Sequence, residues 1–268
     1  MGFFTPKLVD GEVAEWQFEY FEWLINNFSS GPGLPDSELW QPIPEHFAPA
    51  KKGSRPLSGR PLVKHTFETV KSQCGFGPKD VFRLVPSDEA KPQSLGGLAM
   101  VQTNEAGACG RYKISQNDDG SYTETITYDR DLGDDPTQLI ATFSHELGHA
   151  LHNRSKEPLD IESELYEMFT DLTAIYLGYG IFTANTRFEF SQFQNAGTQG
   201  WQAQGAGYLP EADIIFGTAL FMKIKNISQD VALEHLKPRL RKMLKKAFKQ
   251  LAGYEEEVGA LRALNPAP

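Results

Sequence analysis

Hydrophobic and polar positions change period several times along the chain. Residues 11–28 (GEVAEWQFEYFEWLINNF) carry Trp16, Phe18, Phe21, Trp23, Leu24, Ile25 and Phe28 at spacings that predict a helix packed through its aromatics. Pro32, Pro35, Pro42, Pro44, Pro49, Pro56 and Pro61 then predict an extended connector, leading to a helix over 61–74. Between 80 and 129 the pattern shortens to alternating or β-branched runs. Val81–Val85, Leu98–Gln102, Arg111–Ser115 and Thr123–Tyr128 read as strands, with Asn117-Asp118-Asp119-Gly120 as a hairpin turn. Asp135 followed by Pro136 and Gln138 supplies an N-cap, a first-turn proline and a reciprocal capping position, so the next helix opens there. Helices follow over 160–178, 210–225 and 237–251, while the Gly-, Gln- and Asn-rich stretch 183–209 predicts a surface loop.

Strands followed by helices predict an α+β fold. A chain of 268 residues with 40% hydrophobic positions can bury one sizeable core. We therefore expect a single domain over 1–268. It divides into an N-terminal helix and Pro-rich connector (1–60), a sheet with the chemistry-bearing helices (61–182), and a loop with a helical C-terminal lobe (183–268). The net charge of −9 excludes a general nucleic-acid binder, which needs a dominant basic surface. No apolar run reaches the length of a transmembrane segment, and the start lacks the basic and apolar regions of a signal peptide, so a cytoplasmic location is expected. Cys74 and Cys109 are too few for a disulfide framework and read as free thiols. One segment runs against the overall charge. Over 237–249, seven cations surround a stripe of Leu240, Met243, Leu244, Ala247 and Phe248, which predicts an amphipathic helix with a solvated basic face or a face for an anionic partner or membrane surface.

The chemistry concentrates at His145-Glu146-Leu147-Gly148-His149. Two imidazoles one helical turn apart, with a carboxylate between them, can bind a zinc ion and activate its water. On a helical projection His145, His149 and His152 share a sector facing a cleft, while Ile140, Phe143, Leu147, Ala150 and Leu151 anchor the opposite side. A third protein ligand is required. His152 lies about 10 Å along the axis from His145 and cannot converge on the same ion, so it reads as a cleft-wall or supporting group. The following helix offers Glu162, Glu164, Glu167 and Asp171. Asp160, Glu164, Glu167, Asp171, Ala174 and Gly178 form one stripe whose small end would let that helix approach the histidine helix closely.

His145-Glu146-x-x-His149 followed by Glu167-x-x-x-Asp171 resembles the gluzincin branch of the zincin metallopeptidases, the thermolysin-like pattern. The stretch from Glu167 to Thr183 is also similar to uncharacterised bacterial zincin-like proteins in its Thr-Asp-Leu and Leu-Gly-x-Gly character. The resemblance covers roughly 135–180. It implies a zincin-like fold, a small sheet packed on the active-site helix, and a zinc metallopeptidase acting on a peptide or protein substrate. It further implies Glu167 as third zinc ligand, Asp171 orienting His145, and Glu146 as general base. A donor to the oxyanion would come from Tyr166, Tyr176, Tyr179, Tyr208 or His235, with Tyr208 preferred because packing accounts better for Tyr176 and Tyr179. Zincins commonly hold an extended peptide along a sheet edge, which the resemblance gives to one of the strands between 98 and 128; Thr123–Tyr128 is a candidate, although an internal strand fits that segment equally well. The alternative is a zincin-like protein that binds zinc and hydrolyses nothing; the presence of Glu146 favours the enzyme.

Overall fold

The computed structural model describes residues 7–28, 37–43, 57–89, 109–162, 165–195 and 208–264, with side chains through 187 in the segment ending at 195. Asp10 opens the first helix, α1 (Gly11–Phe28), by accepting the Val13 N–H at 2.8 Å. Phe18, Phe21, Leu24, Ile25 and Phe28 are buried along it, as their spacing predicts. Helix α2 (Gly59–Gln73) begins two residues before its expected start and buries Leu62, Val63, Phe67 and Val70.

Three strands form a small mixed sheet: β1 (Phe82–Pro86), β2 (Gly110–Gln116) and β3 (Tyr122–Tyr128), in the order β1-β3-β2. β1 runs parallel to β3, with Phe82 opposite Glu124; β2 runs antiparallel, with Gly110 opposite Tyr128. The expected hairpin is present: Asn117 N–H donates to the Ser121 carbonyl at 2.8 Å, and Gly120 adopts the φ of 82° that its turn position requires. The strand expected at Leu98–Gln102 lies outside the described residues. β3 is the internal strand. Both of its sides are already paired, so Thr123–Tyr128 cannot receive a peptide edge-on.

Helix α3 (Pro136–His152) starts at its predicted cap, where the Asp135 carboxylate accepts the Gln138 N–H at 3.0 Å. Leu139, Ile140, Phe143, Leu147, Ala150 and Leu151 are fully buried, each large side chain contributing about 1.5–3 kcal/mol of burial. Of the histidines expected to face a cleft, His145 lines one, while the other two are enclosed. α2, β2 and the later helical segments 166–174 and 180–195 all pack on this helix, leaving His149 and His152 only 7% and 5% exposed. The next helix, α4 (Tyr166–Ala174), is shorter than predicted: Asp160 and Glu162 belong to an irregular connection, and Glu164 lies outside the described residues.

Regular winding stops after α4 in a wide turn, Ile175–Tyr179, where Gly178 has φ 98°. A Cβ at Gly178 would overlap the Glu38 carbonyl oxygen, and Trp40 N–H donates to the Gly178 carbonyl at 3.0 Å. The segment at 37–43 is thereby seated against the break. Helix α5 (Gly180–Asn195) follows, which corrects the expectation of a surface loop from 183 onward. Its polar residues mislead by composition. Thr183 and Thr186 return their hydroxyls to the Tyr179 and Phe182 carbonyls one turn back, so they sit buried beside Ile181, Phe182 and Ala184.

Four more helices complete the described chain: α6 (Glu211–Ile224), α7 (Gln229–Leu233), α8 (Pro238–Leu251) and α9 (Glu255–Leu264). α7 and α9 were not predicted. α6 is buried along almost its whole length, and α8 packs on it through Leu240, Leu244, Ala247 and Leu251. Arg239, Arg241, Lys242, Lys245, Lys246 and Lys249 point outward. The apolar stripe of α8 is therefore committed to the core and not offered to a membrane surface. No helix among the described residues is long and apolar enough to cross a membrane. Cys74 and Cys109 are free and buried, as expected.

Candidate metal centre

α3 and α4 pack closely because Gly148 has no side chain: a Cβ there would sit 3.1 Å from Thr170 Cγ2 and 3.3 Å from its carbonyl. The small residue that permits the approach lies on the histidine helix, not on the stripe of α4 where the sequence suggested it. Across this contact one ligand atom each from His145, His149 and Glu167 converges, all within 4.8 Å of one another. His145 Nε2 is 2.9 Å and His149 Nε2 3.6 Å from Glu167 Oε2. The cluster can hold a metal ion.

Hydrogen bonds on the far side of each imidazole determine which nitrogen is available. Asp171 Oδ1 accepts from His145 Nδ1 at 2.9 Å, while Asp171 Oδ2 accepts the Leu209 N–H at 3.0 Å. Both oxygens of that carboxylate are used, so an ion that displaces the Nε2 proton would meet the lone pair of a neutral, correctly oriented His145. Thr170 does the same for the second imidazole. Its hydroxyl donates to the Tyr166 carbonyl at 2.9 Å, so its oxygen can only accept from His149 Nδ1, 3.3 Å away. His149 Nε2 is then the nitrogen left to face Glu167.

Glu167 shows that the donor set fits a divalent ion. Its Oε1 is buried with no hydrogen-bond partner among the described residues, an arrangement that is costly unless an ion completes it. Two neutral imidazoles and a carboxylate are also the donors such an ion prefers. Burial pushes the Glu167 carboxyl upward, but hydrogen bonds from His145 and His149 win and hold it well below its ordinary value. Burial likewise opposes charge on His145, yet Asp171 and Glu167 raise its pKa well above the usual imidazole range. A proton and a metal ion therefore compete for His145 Nε2.

Glu146 projects to the side of His145, 5% exposed, where burial raises its carboxyl above the ordinary value. The Tyr112 backbone N–H hydrogen-bonds it. β2 reaches this position because Gly110 lacks a side chain: a Cβ there would lie 2.5 Å from Thr142 Cγ2 and 2.9 Å from Glu146 Oε1. Beside Glu146 opens a cavity of about 40 Å³, lined in part by His145, Asp171, Arg187 and Tyr208.

The remaining expected residues are distributed as follows. Tyr208 stands at the site, its ring 5.7 Å from that of His145. Tyr166 lies near-parallel to His149, ring centroids 5.4 Å apart. Tyr176 and Tyr179 are core residues, and His235 turns away to Gln41 Oε1 at 3.2 Å. His152 is neither a ligand nor a cleft wall. It is buried, with Nε2 at 2.7 Å from Tyr20 Oη and 2.8 Å from Thr173 Oγ1, and it ties α3 to α1 and α4. Four participants were not anticipated: Thr170, Tyr112, Gly110 and Arg187. Thr170 falls on the face of α4 that carries Glu167 and Asp171, a spacing visible in sequence. The others arrive from distant segments, and no local pattern marks them.

Comparisons of the chain with protein-family models, curated proteins and solved structures give no match.

Proposed function

We propose that this protein is a zinc metallopeptidase of gluzincin type, with a zincin-like arrangement of sheet and metal-bearing helices. One observation carries the reading: His145, His149 and Glu167 converge, with Nδ1 of each imidazole engaged by Asp171 or Thr170 so that Nε2 is the nitrogen turned to the common point. A bound zinc ion would supply Lewis acidity, lowering the pKa of a water molecule and polarising the scissile carbonyl. Glu146 takes the proton from the attacking water and passes it to the leaving amine. Its raised pKa makes it a stronger base than an exposed carboxylate, and the Tyr112 N–H keeps it aimed. Tyr208, beside His145, is the candidate donor to the developing oxyanion.

Substrate alignment is assigned to β2, an outer strand among the described residues. Cys109 directs its carbonyl to Asp129 N–H across the pairing with β3, while Tyr112 directs its N–H to Glu146. By alternation, Gly110, Tyr112 and Ile114 turn backbone groups to the outer edge, where an extended peptide can add.

The test is Glu146→Gln. The variant should bind zinc as the wild type does and lose at least about 100-fold in hydrolysis, read by comparing new N-termini in a proteome digested by each form. Continued cleavage by the Gln form would overturn the assignment of the base.

A further inference from the structure

The cavity beside Glu146 has a wall that the proposed reaction does not use. Arg187, on α5, lines it together with His145 and Tyr208. Its guanidinium lies over the Tyr208 ring, 4.8 Å from the centroid. Because that ring is itself 5.7 Å from His145, the cation is tied to the immediate surroundings of the ligand cluster.

The other charges of the cavity are already engaged. Asp171 spends one oxygen on His145 and the other on Leu209, and Glu146 is held by the Tyr112 N–H. No carboxylate pairs with Arg187 among the described residues. A guanidinium presents its N–H donors in one plane as a fork, which can meet a carboxylate in two parallel hydrogen bonds. The cavity has room for a carboxylate beside the guanidinium. With a net charge of −9, the chain as a whole repels anions, so any preference for one has to be created locally by a fixed cation.

We infer that this cavity is a substrate pocket for a carboxylate, gripped by Arg187 against Tyr208. The peptide bound there carries either an acidic side chain or its own C-terminal carboxylate next to the scissile bond. The inference rests on the peptidase reading for the word substrate; the anion site itself is testable apart from it.

Binding is to be measured on the full chain stripped of metal, so that neither hydrolysis nor coordination to an ion contributes. Three short peptides serve as probes: one blocked at both ends with a single Asp, its Asn counterpart blocked likewise, and the Asn peptide with a free C-terminal carboxylate. The wild type should bind at least one anionic probe about tenfold or more tighter than the neutral peptide, as expected for a charge-assisted bidentate pair. Preference for the Asp peptide assigns the pocket to an acidic side chain, and preference for the free terminus assigns it to the chain end. Arg187→Gln should abolish the preference. Arg187→Lys should keep only part of it, because an ammonium lacks the planar fork. Equal binding of all three probes by the wild type, or an undiminished preference in Arg187→Gln, would overturn the inference. Anion preference in a protein that passes this test but hydrolyses nothing would leave the pocket standing and remove the peptidase.

Discussion

Asp171 shows how a single residue joins two parts of the site. Its two oxygens accept from His145 Nδ1 and from the Leu209 N–H, so the group must be an acceptor on both sides. Asp171→Asn would turn an NH2 toward one of these donors. We expect zinc affinity to fall about 10–100-fold, measured by competition with a chromophoric chelator; unchanged affinity would show that the carboxylate does not orient the imidazole. His145, Glu146 and His149 are legible in the sequence because a single helix sets their spacing. Glu167 is distinguished from its acidic neighbours only by resemblance, since four carboxylates follow within reach in sequence. Thr170 escapes notice because a hydroxyl inside a helix ordinarily bonds its own backbone, as this one also does.

At the scale of elements, two glycines let strand and helix come where the chemistry needs them. Gly110 brings β2 against Glu146, and Gly110→Ala should lower hydrolysis at least about tenfold while zinc binding is retained, because the added Cβ displaces the proposed base but none of the ligands. Equal turnover in the Ala form would dissociate β2 from the site. Gly178 combines a left-handed backbone with close contact to residue 38. Gly178→Ala should cost about 2 kcal/mol or more, read from urea unfolding, and a change near zero would show that the turn relaxes freely. Long periodic helices and the Asn-Gly-bounded hairpin could be read from the pattern of residues. The extent of α4 and the helical start of α5 could not. Gly178 reads locally as a helix-compatible small residue, and the threonines of α5 read as loop until their backbone partners are seen.

The molecule as a whole wraps α3 so fully that its third histidine becomes part of the interior. Burial drives the His152 pKa down to about 3, with the nearby charges of His149 and His145 acting in the same direction. Its Nδ1 has no hydrogen-bond partner among the described residues, so a second proton would find no acceptor among them. The unfolded chain takes up that proton near pH 6.5, whereas the folded chain refuses it. The stabilising contribution is therefore complete above pH 6.5 and is lost as pH falls toward 3, with a slope of about 1.4 kcal/mol per pH unit. Urea midpoints of the wild type should fall more steeply over this window than those of His152→Gln, and parallel curves would contradict the account. None of this burial is visible in a helical projection, which places His152 on the polar side, because the enclosing elements come from residues far away in sequence. The central claim remains the shared ion. Crystals grown with zinc, examined by anomalous diffraction at the zinc edge, should show one peak about 2.0–2.2 Å from His145 Nε2, His149 Nε2 and a Glu167 carboxylate oxygen. A peak elsewhere, or one that leaves out any of the three, would contradict it.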